Sequence, residues 1–189
     1  GLLLWTYFTI SMTISSNSLV ANAHLVTKVY FPRLIIPISS TLVGILDYTF
    51  ASIVLFGLMV HYNLFPSLSI LLLPVILFFT WMLATGIGFW LSAIMVKYRD
   101  VKFIVPFFTS LFIYITPVIY PISAVGNYKW ILMFNPMAGL IEAHRSILLG
   151  HQVVDLNLFY ISMLLHAIFF YMFAFSTVYT FLITEFNSL

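Results

Sequence analysis

The sequence predicts an all-α fold, a polytopic helical membrane protein with five transmembrane helices in 189 residues. Two observations carry that prediction. Hydrophobic residues make up 63% of the chain and charged residues 6%, whereas a soluble domain carries roughly 25% charged residues. Seven Lys and Arg with five Asp and Glu cannot coat a water-soluble surface of this size, and mean hydropathy is +1.14. The second observation is that apolar sequence runs free of Asp, Glu, Lys and Arg over 1–27, 34–46, 48–96, 103–128, 130–141 and 156–184. A membrane-crossing helix needs about 20 such residues. A β-barrel would instead alternate strictly over about ten residues between turns, and no such pattern recurs. Runs such as Leu71-Leu72-Leu73 and Phe169-Phe170-Tyr171 are apolar on every side. A water-soluble enzyme, a disordered segment and a nucleic-acid binder are excluded as first readings. With no cysteine in the chain, disulfides, thiol catalysis and Cys-ligated metals drop out as well.

The first span is expected at 2–22. It opens Gly1-Leu2-Leu3-Leu4 with neither an initiator Met nor a basic leading region, so it does not read as a signal peptide. It reads as a span already in progress, and the chain is expected to be an N-terminally truncated fragment. The second span, 35–60, starts beside Pro37 and holds Asp47 about a dozen residues in, near mid-membrane. An ionisable group there is costly and functional by default; a protonated or paired structural Asp is the alternative. The 49-residue stretch 48–96 is too long for one helix, and His61-Tyr62-Asn63 with Pro66-Ser67 breaks it. The third span is then 68–96, on which Ala84, Gly88 and Ser92 form the small-residue ladder that lets membrane helices approach closely. The fourth and shortest, 103–120, crowds Phe103, Phe107, Phe108, Phe112 and Tyr114 together. The fifth is 157–184.

Orientation follows from the basic residues of short loops. Lys28 and Arg33 follow span one, and Lys97, Arg99 and Lys102 follow span three. The opposite side holds only Lys129 and Arg145, across 121–156. The 24–34 and 97–102 loops are therefore cytoplasmic, and the chain starts outside and ends inside.

Residues 121–156 are too many for a turn and too apolar for a free loop. Asn135 as N-cap and Pro136 at the first helical position start a helix, and Gly150 stops it. Such a helix reaches about 21 Å, short of a crossing. Met137, Leu140, Ile141, His144, Ile147 and Leu148 share one face, while Glu142 and Arg145 form an i,i+3 pair on another. A turn of helix near 128–134 is expected beside it, the pair dipping in from the outer side.

On the cytoplasmic side, Leu25, Val26, Val29 and Tyr30 fall on one face of a short amphipathic helix over 23–32, with Thr27 and Lys28 opposite and Pro32 ending it. It reads either as an interfacial anchor or as a docking peg for a cytosolic partner. Catalytic signatures are missing: there is no phosphate loop, no His-Glu-x-x-His and no dinucleotide fingerprint. Glu142 and His144 stand two residues apart, pointing to different faces of a helix. The scattered histidines read as neutral, hydrogen-bonded packing residues. No catalytic residue and no metal site are expected.

At this point the residues resemble a known family. Ser15-Ser16-Asn17-Ser18-Leu19-Val20 leading into Lys28-Val29-Tyr30-Phe31-Pro32-Arg33 is similar to the second span and coupling loop of ABC-2 type permeases that export polysaccharides and polyol phosphates. Tyr98-Arg99-Asp100-Val101 and Pro106-Phe107 look like that family's cytoplasmic loop and fifth-span start. Thr116-Pro117-Val118-Ile119-Tyr120-Pro121, then Asn135-Pro136 through Glu142-Ala143-His144-Arg145, resembles its outer gate region. The motifs keep the family's order over about 1–150. Six spans after an amphipathic N-terminal helix are usual there, and a basic tail follows the last; this chain ends Thr-Glu-Phe-Asn-Ser-Leu instead.

The resemblance implies a transmembrane permease subunit of an ATP-driven exporter in the bacterial cytoplasmic (inner) membrane. It would form a homodimer and pair with separate ATPase subunits, which would carry the ATP and Mg; this chain would bind no cofactor itself. Its substrate would be a lipid-linked polysaccharide or polyol phosphate, such as O-antigen, capsule or teichoic acid polymers. His24, Leu25, Lys28, Val29, Tyr30, Phe31, Pro32 and Arg33 would couple to the ATPase. Phe107, Phe108, Phe112 and Tyr114 would wall the channel. Pro117, Tyr120, Pro121, Asn135, Pro136, Glu142 and Arg145 would form the outer gate. Two alternatives stand beside this: a related permease moving drugs or lipids, and a non-transport membrane protein such as a lipid-modifying enzyme or assembly scaffold.

Overall fold

The computed structural model describes residues 1–24, 35–64, 68–150 and 156–186. Every regular element among them is helical. Helix α1 is Leu2–Ala21. Helices α2 (Ile35–Thr41) and α3 (Val43–His61) meet at Leu42, whose backbone stays helical at φ −68°, ψ −22°, so together they make one rod of 27 residues. A 3₁₀ turn, Leu68–Leu72, leads into α4, Leu73–Lys97, and α5 is Val101–Ile115. A kinked 3₁₀ segment, Ile122–Tyr128, and the one-turn α6, Lys129–Met133, precede α7, Pro136–Leu149. The last helix is α8, Leu156–Phe186.

Ile35–His61 and Ser69–Lys97 are long and apolar enough to cross a membrane; Val101–Ile115 and Phe159–Phe173 are shorter apolar helices. Helix α1 has 20 residues but is diluted by eight Thr, Ser and Asn side chains. The fourth apolar segment differs from its expected bounds of 103–120. Its helix stops at Ile115, because a residue before proline is pushed out of the α region. Thr116, followed by Pro117, is extended at φ −87°, ψ 141°. The apolarity continues past that point, but the helix does not.

Helix α4 is the hub. On one side the Ala84, Gly88, Ser92 ladder is buried against α1. A Cβ on Gly88 would sit 2.6 Å from Ser15 Cβ. On another side Gly86 approaches α8 so closely that its Cβ would lie 3.3 Å from Phe170 Cα. Van der Waals packing of this kind replaces the hydrophobic drive that lipid removes. Helix α2 closes the seam: Ser11 Oγ donates to the Thr41 carbonyl at 3.1 Å, and Trp81 Nε1 donates to Thr41 Oγ1 at 2.8 Å. Gly44 faces Ser11 and Tyr7, leaving no room for a side chain.

Gly88→Val tests the seam. Overpacking a close contact costs about 1–3 kcal/mol. The variant is expected to melt several degrees lower in detergent, while Gly57→Val, where a side chain would meet open space, leaves the melting temperature unchanged.

Candidate functional site: the arginine clamp and the aromatic helix

Helix α7 is built as its sequence requires. Asn135 stands at the N-cap with its Oδ1 accepting from the Met137 N–H at 3.0 Å, and Pro136 occupies the first turn. Gly150 ends the helix in the left-handed region at φ 66°. Between them Met137, Leu140, Ile141, His144, Ile147 and Leu148 are all buried. Glu142 corrects the expected pattern. It falls on a separate face of the helix wheel, yet it is buried too, because α7 is packed against α4 and α8 and also touches α1.

Arg145 organises this region. Its Nη1 donates to Glu142 Oε2 at 3.2 Å and to the Tyr120 carbonyl at 3.3 Å. Its Nη2 donates to the carbonyls of Pro117 and Val118, each at 3.1 Å. The physical need is plain: the last carbonyls of a helix have no partners within it, and the turn after α5 adds more. Tyr120 meets the first of them, its hydroxyl lying 3.2 Å from the carbonyls of both Tyr114 and Ile115. Arg145 collects three of those that follow, and the Val118 N–H donates to the Thr116 carbonyl at 2.6 Å. Asn135 Nδ2 ties the same turn to α7 by donating to Thr116 Oγ1 at 2.9 Å. The bonds of the Arg145 guanidinium are charge-assisted and are the strong ones.

Of the expected gate residues, Pro117, Tyr120, Asn135, Pro136, Glu142 and Arg145 are thus brought together. Pro121 is exposed beside them, its carbonyl accepting from the Ala124 N–H at 3.0 Å. Two further polar contacts pin α7, and sequence reasoning did not find either. The Tyr48 hydroxyl and His144 Nε2 are 2.8 Å apart in the buried interior, joining α3 to α7. The Gly139 N–H donates to Ser162 Oγ of α8 at 3.0 Å. The histidine side of this was anticipated. His144 and His166 are buried and hydrogen-bonded, His166 through Nδ1 to the Ser162 carbonyl at 2.7 Å.

The aromatic residues of α5 are placed differently. Phe107, Phe108, Phe112 and Tyr114 are all exposed, and Val105 alone of the helix is buried. Phe108 and Phe112, 6.3 Å apart, line a cavity of about 490 Å³ together with Trp5, Leu83 and Trp90. Phe107 meets Phe108 edge-on at 5.9 Å, and Tyr114 borders a smaller cavity of about 320 Å³. Asp47 lies exposed at the rim of a third cavity, of about 650 Å³, near Tyr7, Tyr48 and His144. Among the described residues no ion pair reaches it. Of the expected coupling residues, His24 is exposed. Leu25, Lys28, Val29, Tyr30, Phe31, Pro32 and Arg33 lie outside the described residues. Among the described residues no cluster of His, Asp or Glu could hold a metal ion.

Comparison with known proteins decides the class of molecule. A family described as ABC-2 type transporter matches residues 1–149. The chain belongs to that family. Three curated relatives of this ABC-2 chain bear the name O-antigen export system permease protein RfbA. One, from Myxococcus xanthus, is 27% identical over 158 residues, covering 82% of this chain and 61% of the relative. Two from Klebsiella pneumoniae are 31% and 30% identical over 166 residues, covering 87% of this chain and 63% of each relative. The matched part is therefore under two thirds of each relative's length. As an ABC-2 family member the chain is an integral membrane protein, and the clamp and the aromatic helix both fall within the matched region.

Arg145→Ala is expected to strand Glu142 and release three carbonyls. Bonds to charged groups contribute about 1.5–3 kcal/mol, so the thermal transition should fall clearly. The pair Glu142→Gln with Arg145→Ala should regain part of that loss, because the unpaired carboxylate is gone. A melting curve for each variant in the same detergent measures both.

Proposed function

We propose that this chain is the membrane-embedded part of a permease that exports a lipid-linked polysaccharide or polyol phosphate polymer across the bacterial cytoplasmic membrane, driven by ATP. The observation that carries the reading is the aromatic helix α5, with Phe108 and Phe112 along a cavity in a chain of the ABC-2 family. The names of its relatives support the polymer class. A sliding polymer needs many weak, equivalent contacts and not one tight site. Aromatic faces supply them, at about 1 kcal/mol per ring by analogy with other aromatic contacts.

In this reading two copies of the permease pair with two ATPase subunits, which hold ATP and Mg²⁺. Residues 24–33 are the docking peg, with Leu25, Val29 and Tyr30 as its buried anchor. Burial of such side chains contributes roughly 1.5–3 kcal/mol each. Lys28 and Arg33, nearer the rim, govern association rate and salt sensitivity, and Pro32 fixes the angle at which the peg leaves the next helix. The clamp at Arg145 holds the outer gate.

Two experiments on the full-length permease separate the parts of this reading. Tyr30→Ala is expected to lower co-purification of the ATPase subunit and abolish export while insertion stays normal; normal ATPase recovery with poor insertion would make 23–32 an interfacial anchor instead. Phe108→Ala combined with Phe112→Ala is expected to slow glycan export several-fold without changing assembly. Unaltered export would remove α5 from the channel wall.

A further inference from the structure

The outward faces of the long helices differ in kind. On α3 that face carries Leu46, Phe50, Ile53, Val54 and Leu58, and on α8 Tyr160, Leu164, Ile168 and Tyr171, all exposed and predominantly apolar as lipid requires. Helix α1 breaks the pattern. Its buried sides carry Leu4, Tyr7, Phe8, Ser11, Met12 and Ser15. Its open side carries Thr6, Thr9, Thr13 and Asn17 among Leu2, Ile10 and Val20, each exposed or half-buried. At spacings of three, four and four residues the three threonines and Asn17 share one helix face. Thr9 Oγ1 donates back to the Thr6 carbonyl at 3.1 Å, and Asn17 Nδ2 donates to the Thr13 carbonyl at 3.0 Å. Those bonds occupy the Thr9 hydroxyl hydrogen and one Asn17 amide hydrogen, and leave the Thr9 hydroxyl oxygen and the Asn17 amide oxygen as acceptors on that face. Such groups are costly against hydrocarbon, so this face needs something polar opposite it.

A second observation shows what lies next to Thr9, while Thr6 borders the separate cavity that holds Asp47 and Arg145. The cavity of about 320 Å³ between α1 and α5 is lined by Trp5, Thr9, Thr109, Ser110, Ile113 and Tyr114. Hydroxyls from both helices meet there beside two aromatic rings, and no charged side chain lines it. Alternating hydroxyl and aromatic surface matches the two kinds of face a sugar presents, its hydroxyl rim and its C–H plane. A lining without a cation around Thr9 suits neutral sugar units better than a phosphate-bearing chain.

We infer that Thr9, with Thr13 and Asn17 on the same face of α1, forms a second, hydrogen-bonding wall of the export path, beside Ser110 and Tyr114 of α5, and selects neutral, hydroxyl-rich glycan. This rests on the export reading above. It adds to that reading a set of α1 residues and a preference in substrate.

Cysteine scanning tests it, since these 189 residues contain no cysteine. In the full-length permease, with any cysteine elsewhere replaced, Thr13→Cys and Asn17→Cys are expected to react with a charged, membrane-impermeant thiol reagent in opened membranes. Leu46→Cys and Ile53→Cys on α3 should not. If 13 and 17 are as unreactive as 46 and 53, the strip is covered by another helix or a second copy, and the inference fails. In cells, Thr9→Val with Thr13→Val should reduce neutral glycan export at least five-fold with ATPase co-purification unchanged; full export would also overturn it. Labelling at 13 and 17 in a system that exports no glycan would sink the export reading while the water-lined strip stands.

Discussion

A helix that ends inside a protein leaves its last carbonyls without partners, and where water is scarce each must be met by the protein itself. The region from α5 to α7 is arranged around one such end, that of α5 at Ile115. Pro117 forbids continuation, the next residues turn, and carbonyls accumulate faster than backbone N–H groups can reach them. Tyr120 and Arg145 answer that need from two directions. Because Arg145 belongs to α7, meeting the carbonyls also fixes where α7 sits. Because α7 is further tied to α3 through Tyr48 and to α8 through Ser162, a local problem of helix termination becomes the junction of four helices.

The inner architecture obeys a different constraint. Without a hydrophobic drive between helices in lipid, close approach has to come from small side chains. Gly88 against Ser15, Gly44 against Ser11 and Gly86 against the Phe170 backbone supply it. The serines of α1 that would be costly against hydrocarbon are spent inside this seam, Ser16 and Ser18 bonding back to carbonyls one turn earlier. The hydroxyl content of α1 thus divides by face. Ser11, Ser15, Ser16 and Ser18 are buried, and the threonines with Asn17 remain at the open surface.

What could be read from the sequence was what is local. Asn135-Pro136 and Gly150 announce the ends of α7 by backbone chemistry that needs only neighbouring residues, and the Glu142–Arg145 pair follows from helical spacing. The Ala84, Gly88, Ser92 ladder was legible for the same reason. The partners of Arg145 on the turn after α5 were not, since 25 to 28 residues separate them. Tyr48 and His144 stand 96 residues apart and meet only once the helices have packed. Thr116-Pro117 did carry the signal that α5 ends early, but continuing apolarity masked it. The burial of Glu142 was hidden because a charged residue on a helix wheel is assigned outward, whereas here α7 is packed on several sides and the Arg145 guanidinium meets the carboxylate inside.

The attachment of α5 has a mechanical meaning. The helix is clamped at Ile115 by Tyr120 and the turn that Arg145 holds, while along its length Val105 is its single buried residue. Pro106, lacking an N–H, removes one backbone bond near the other end. The Val101 end is tied to α4 by a three-residue connector, where Lys97 and Lys102 rest on the rings of Tyr98 and Phe103. A rod held at both ends and lightly supported between them is a beam, which bows most at its middle, and that is where Phe107, Phe108 and Phe112 stand.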